Sequence, residues 1–382
     1  RVLKLEECGL GSDSSLVDAL RLPGARLQVL SLARNQLRDR GSVTVAQRLE
    51  QCKELVELCV AENGIRERGM AAIGAWVGSA TRLRRLDLSG NRVGEQSAQV
   101  LGDEFCRAPR LEELRLCACE MQVMEVMLLS WRVPGMRALR HLDVSDNMIS
   151  DAGVKHVLEA CASRPSIRSV RLSTICLSTW GEVGVSEKLR GMPPVLEEFD
   201  LSRNLVTEHR IRTLLESLER FPKLRVLRLV GVGGGRALGL AVPSLLARTP
   251  HMEVLDLSSN GMGDEGIQAV GAALPTVPRL RELGLGENGP LSPTALEAVA
   301  GGVCKNADLR VFAMTNAGID DTGVMTLCRG LLSARELAEI DLGQNPIALA
   351  SVARQVLALI DSWPMLRRLV LGDASLEAAG TY

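Results

Sequence analysis

The chain has 382 residues with 45 basic and 46 acidic side chains, a net charge of −1, so it has no overall field to steer a nucleic acid or an anionic membrane. Only nine residues are aromatic, too few for the stacking platforms of a single-strand nucleic-acid binder. No run of about 18 apolar residues predicts a membrane span, and neither nucleic acid nor membrane insertion is expected.

The chain opens on Leu3, Leu5, Cys8 and Leu10, a truncated form of a pattern that then returns in full. Its clearest copy is Leu83 to Val93, L-R-R-L-D-L-S-G-N-R-V. Period-two alternation there buries Leu86 and Leu88 on one face of a short strand and sends Arg85, Asp87 and Ser89 to the other. Asn91 then turns the chain, its amide satisfying backbone groups that have left the ladder. Equivalent starts stand at Leu27, Leu55, Leu111, Leu139, Ile167, Leu196, Leu224, Met252, Leu280, Leu309, Leu337 and Leu366, always 28 or 29 residues apart. Asparagine fills the turn slot at positions 35, 63, 91, 147, 204, 260, 288 and 345. Cys8 and Cys119 take it twice, and Ile175, Val232, Ala317 and Ala374 replace it elsewhere.

Each unit has room beyond its strand for a helix of about three turns. Apolar residues three and four apart predict helices over Ser42 to Gln51, Met70 to Val77 and Val154 to Cys161. A glycine recurs four residues after the last strand position, at 41, 69, 153, 181, 266, 323 and 380, and is read as admitting a close turn into the helix. Stacked in register, such units give an α/β solenoid, a horseshoe with parallel strands on the concave face and helices outside. Ordinary globular proteins of this length divide into two or three domains. The unbroken register instead predicts one repeat domain over 1–382, of 13–14 repeats.

Residues 175–240 carry the weakest repeat logic. Ile175 replaces asparagine, Gly181 to Pro194 has poor helical pattern, and Pro193-Pro194 cannot lie inside a helix. Gly231-Val232-Gly233-Gly234-Gly235 follows a strand as a phosphate loop would, but position six counted from Gly231 is Arg236 and no G-K-[ST] follows, so it reads as a relaxed loop. At the ends, Arg1 falls inside a strand and Tyr382 just past Gly380, with no capping unit at either. The chain is expected to continue beyond both, or partners to cover its ends.

The L-x-x-L-x-L-x-x-N/C-x-L strand, the 28–29 residue period and the D-x-G triplets Asp39-Arg40-Gly41, Asp151-Ala152-Gly153 and Asp264-Glu265-Gly266 resemble the ribonuclease-inhibitor class of leucine-rich repeats. The Ran GTPase-activating protein and the repeat domains of NOD-like receptors share that class. The resemblance implies the fold. For function it implies a binding scaffold, with GTPase activation or ligand sensing in an immune receptor as alternatives.

Candidate binding residues lie on the exposed strand face. One column reads Asp87, Arg115, Asp143, Arg171, Asp200, Arg228, Asp256, and the column before it Glu57, Arg85, Glu113, His141. Strands sit about 4.8 Å apart, so opposite charges lie side by side. The column is either a docking strip or a self-neutralising ladder, and its alternation excludes tight binding of a uniformly charged ligand. Trp180, in the irregular stretch, joins the candidates. Cys117 and Cys119 near His141 raise a zinc site, but strand geometry sends the two thiols to opposite faces. His141, His156, His209 and His251 lie in separate repeats without a partnering nucleophile. No enzyme activity, cofactor or metal is expected.

Ten cysteines without C-x-x-C spacing, several of them in predicted helices, fit a reducing cytoplasmic setting. The 39 arginines against six lysines would fit an interface, but a GC-rich genome is the blander and preferred cause. The expected function is a protein–protein scaffold in a hetero-complex, with a cytoskeletal or ciliary location as the alternative.

Overall fold

Each repeat begins with a short strand whose middle residue is apolar. In the computed structural model, which describes residues 1–11, 26–178, 181–348, 352, 356, 360–372 and 374–377, these residues stack in register. Two compact units result, Arg1–Pro193 and Pro194–Tyr382.

In the first unit β1 (Val2–Lys4), β2 (Val29–Ser31), β3 (Glu57–Cys59), β4 (Arg85–Asp87), β5 (Glu113–Arg115), β6 (His141–Asp143) and β7 (Ser169–Arg171) pair in sequence order, all parallel. Leu30, Leu58, Leu86, Leu114, Leu142 and Val170 form one buried file, each aligned with its neighbour. Behind the strands lie α1 (Arg38–Leu49), α2 (Glu67–Ser79), α3 (Glu95–Arg107), α4 (Val123–Ser130), α5 (Ser150–Ala162) and α6 (Gly181–Gly191).

The second unit repeats the plan. Its strands β8 (Glu198–Asp200), β9 (Val226–Arg228), β10 (Val254–Asp256), β11 (Glu282–Gly284), β12 (Val311–Ala313), β13 (Glu339–Gly343) and β14 (Arg368–Gly372) are parallel neighbours. Phe199, Leu227, Leu255, Leu283, Phe312 and Ile340 make the buried file. The helices are α7 (Glu208–Leu218), α8 (Gly235–Arg248), α9 (Gly263–Ala273), α10 (Pro293–Val303) and α11 (Asp321–Leu331).

Four expectations need correction. The segment after β14 does not turn towards a helix: β15 (Ala374–Glu377) runs back antiparallel, with Leu369 opposite Leu376. The open edge of β14 offers unpaired amides and carbonyls, and a short return strand satisfies them. Second, the stretch from Gly181 is helical as far as Gly191, and Pro193-Pro194 stand just beyond it. Third, the helices start three or four residues earlier than apolar spacing indicates, because their first turn is polar.

The recurrent glycine therefore sits inside the first helical turn, and its reason is space rather than a turn. A Cβ on Gly323 would lie 2.6 Å from Leu296 and 2.8 Å from Ile319, and one on Gly153 2.8 Å from Ile149. At Gly323 the crowding comes both from α10 of the preceding repeat and from the side chain four residues back, and at Gly153 chiefly from the side chain four residues back.

The cysteines divide by burial. Cys52, Cys119, Cys161 and Cys328 are buried like small hydrophobes, but Cys304 is exposed at the end of α10. Burial alone pushes the Cys161 and Cys328 thiols up to about 12.

Candidate functional site

The asparagine slot sets the spacing on which the exposed strand face depends. Asn147 donates from Nδ2 to the carbonyls of Leu116, Val144 and Ser145 at 2.8–2.9 Å, and its Oδ1 accepts from the amides of Cys119 and Met121 at 2.9 and 3.0 Å. Asn260 and Asn345 stitch their repeats to the preceding ones in the same manner. The residue before the slot adopts left-handed backbone whatever fills the slot: φ is +55° at Arg34, +55° at Asp146 and +60° at Ser259, and also +53° at Ala118 before Cys119 and +51° at Thr174 before Ile175. Cys119 fills the slot less completely, its buried thiol donating weakly to the Leu88 carbonyl at 3.5 Å.

On the exposed face of the first unit the charged columns close into pairs. Arg85 meets Glu57 at 2.6 Å, Arg115 meets Glu113 at 2.5 Å and Asp87 at 3.9 Å, and Arg171 meets Asp143 at 3.8 Å. In the second unit Arg228 turns diagonally to Glu198 at 3.4 Å. The aspartates have a prior commitment. Asp87, Asp143, Asp200 and Asp256 each accept the amide of the serine two residues on, at 2.9–3.1 Å. That bond anchors the carboxylate at the strand end, and the arginine comes to it. Burial raises the Asp143 carboxyl above the ordinary range, against the lowering effects of the Ser145 hydrogen bonds, Arg171 and Arg115.

The structure thus joins Arg85, Asp87, Arg115, Asp143 and Arg171 to cross-strand or same-strand partners. Asp200 and Asp256 are tied to their own turns, and His141 is exposed at the start of β6. Trp180 lies outside the described residues. Cys117 donates to Asp146 at 3.2 Å on the exposed side, while Cys119 is buried on the other. Among the described residues no three metal-ligating side chains converge.

Sequence reasoning missed a further column, one position before the strands. Arg84 pairs with Glu112 at 2.9 Å in the first unit, and Arg225 with Glu253 at 2.7 Å in the second, where Arg281 also reaches Glu253 at 3.5 Å. Its signal was present, since the alternation Arg84, Glu112, Arg140 has the same period as the columns already recognised. A shallow depression of about 380 Å³ opens on this strand face, bordered by Glu57, Arg85, Asp87, Glu113 and Arg115.

A second feature missed is the role of the D-x-G aspartate. Asp39 at the start of α1 accepts the amides of Arg66 and Gly69 at 2.8 and 3.0 Å, at the start of α2. Asp151 accepts from Ser178, and Asp264 from Ser292, both at 2.7 Å. These helix starts are capped by a carboxylate of the preceding repeat, where the helix dipole favours negative charge.

A buried apolar file, an asparagine stitch and a helix recurring every 28 or 29 residues define a leucine-rich repeat protein of the ribonuclease-inhibitor-like class. The leucine-rich repeat family profile matches residues 136–157 and 249–271. The ribonuclease inhibitor of Sus scrofa is 28% identical over 246 residues, a match covering 64% of this chain and 54% of that protein. The aligned region thus spans about half of the relative's length. An internalin of Listeria monocytogenes superposes with a TM-score of 0.42 at 15% identity, covering 91% of this chain and 75% of that one. Among the described residues no helix is long and apolar enough to cross a membrane.

Proposed function

We propose that the chain is a non-enzymatic protein-interaction scaffold, an adaptor or subunit that docks a protein partner on its exposed strand face. The observation that carries this reading is the strand face itself. Its arginines and carboxylates are held by neighbours one repeat away, so they are presented in a fixed array with little conformational entropy left to lose on binding. Cross-strand pairing and partner binding are compatible, because exposed pairs contribute only about 0–1 kcal/mol and can be re-formed with a ligand.

The spacing of 29 residues from Ile167 to Leu196 supports one continuous repeat domain over 1–382. All ten cysteines are free thiols, which supports an intracellular, reducing setting for the assembly, whether cytoplasmic or cytoskeletal.

The test is affinity capture from the source organism with the native chain and with an Arg85→Glu/Arg115→Glu variant, followed by mass spectrometry. A partner recovered by the native chain and lost by the variant is expected. Partners retained in full by the variant would remove the strand face from the reading. Stimulated hydrolysis in a turnover assay with small GTPases would replace the scaffold by an activator.

A further inference from the structure

Away from the strand face, the first unit carries a groove of about 660 Å³ at the start of its helices, where Arg38, Arg40, Arg66 and Arg92 converge around Gly64 and Gly90. All four arginines are exposed. Two acidic residues share the groove, and both are engaged. Asp39 holds the amides of Arg66 and Gly69, and Glu120 lies 3.6 Å from Arg92. Among the described residues Arg38, Arg40 and Arg66 make no ion pair.

The placement runs against the physics of an isolated helix. Arg38 and Arg40 lie in the first turn of α1, and Arg66 caps α2. Cations there oppose the positive end of the helix dipole. Arg38 in addition takes left-handed backbone, φ +51°. Four guanidinium groups against two carboxylates leave the groove net positive on a chain whose net charge is −1.

We propose that this groove is a docking site for an acidic protein segment. The inference does not rest on the strand face, and it concerns a different surface. Arginine's planar fork takes carboxylates in pairs. The chemistry disfavours nucleic acid for two reasons: no aromatic side chain lines the groove to stack a base, and Glu120 would repel a continuous phosphate backbone. A segment with spaced carboxylates avoids Glu120 and reaches Arg38, Arg40 and Arg66.

The test uses the full chain and a fluorescein-labelled ten-residue glutamate-rich peptide, followed by fluorescence anisotropy. A single-stranded oligonucleotide of equal charge and inorganic phosphate serve as competitors. The peptide is expected to bind with an affinity that weakens as salt is raised. Arg40→Glu/Arg66→Glu should lower that affinity by about tenfold or more, while Arg279→Glu, an exposed change in the second unit, leaves it unchanged. Circular dichroism of each variant verifies that the repeats remain folded. Absence of peptide binding, equal loss in both variants, or stronger binding of the oligonucleotide would each overturn the proposal. Full displacement by phosphate at concentrations that leave the peptide's charge unscreened would reassign the groove to a small anion and overturn it as well.

Discussion

Asp39 and Gly69 stand 30 residues apart in sequence, yet the carboxylate of one accepts the amide of the other at 3.0 Å. The bond runs from the start of one helix to the start of the next. The Asp151 and Asp264 carboxylates make the same link between later helices. The capping group is thus external to the helix it caps, and the stability of one helix depends on the placement of its neighbour.

The same device at Asp264 gives a direct measurement. Asp264→Ala frees the Ser292 amide at the start of α10 and should cost about 0.5–2 kcal/mol in denaturant unfolding. Hydrogen exchange should quicken at the start of α10 rather than in α9, which carries the mutated residue. Faster exchange confined to α9 would show that Asp264 acts only within its own helix.

Asn147→Ala removes three donated and two accepted hydrogen bonds at a buried site. Leaving the amides of Cys119 and Met121 unpaired should cost about 3 kcal/mol or more. Leu255→Ala, at a position with no exposed surface, should cost about 2–5 kcal/mol. Because coupling in a repeat stack is mainly between neighbours, exchange should rise around the mutated repeat and stay unchanged at Leu5. A uniform rise along the chain would contradict that.

Gly239 faces Gly266, and a Cβ there would lie 2.7 Å from the Gly266 carbonyl carbon. Backbone cannot yield as a flexible side chain can, so Gly239→Ala should destabilise by about 1–3 kcal/mol through forced separation of α8 and α9. Gly301→Ala, where nothing lies within 4 Å, is the control and should be neutral or slightly stabilising.

Asp143 carries a sign that can be checked against pH. Burial raises its folded carboxyl above the ordinary value, so between the two values the folded state holds more protons than the unfolded one. This group's contribution to stability therefore falls as pH rises through that window, and its cost is complete above it. The stability of the native chain relative to Asp143→Asn should accordingly increase on acidification from neutral pH into the carboxylate range. A relative stability that declines instead would mean that the pair with Arg171 outweighs burial.

Thiol labelling should split the cysteines in two. Cys8, Cys176 and Cys304 are exposed and should react with iodoacetamide in the folded protein, while Cys52, Cys119, Cys161 and Cys328 are buried and should react only after unfolding. Ready labelling of Cys161 in the native state would place it outside the core.

The repeat register, the apolar residues of the core, the asparagine stitch and the class of fold are all legible in the sequence. Each is set by local spacing and then repeated along the chain, so that chance is averaged away. The charged columns were legible as columns for the same reason. Their pairing was not. Arg115 lies closer to Glu113 of its own strand than to Asp87, and Arg228 turns diagonally to Glu198, choices that depend on side-chain placement across the packed strands. The left-handed residues at Arg34 and Asp146 are hidden as well, since no glycine marks them. Most remote from the sequence are the Asp39 cap and the groove of Arg38, Arg40, Arg66 and Arg92. Both join residues from successive repeats at helix starts, and their distances depend on how far one repeat is shifted against the next. Only the packed structure decides that offset.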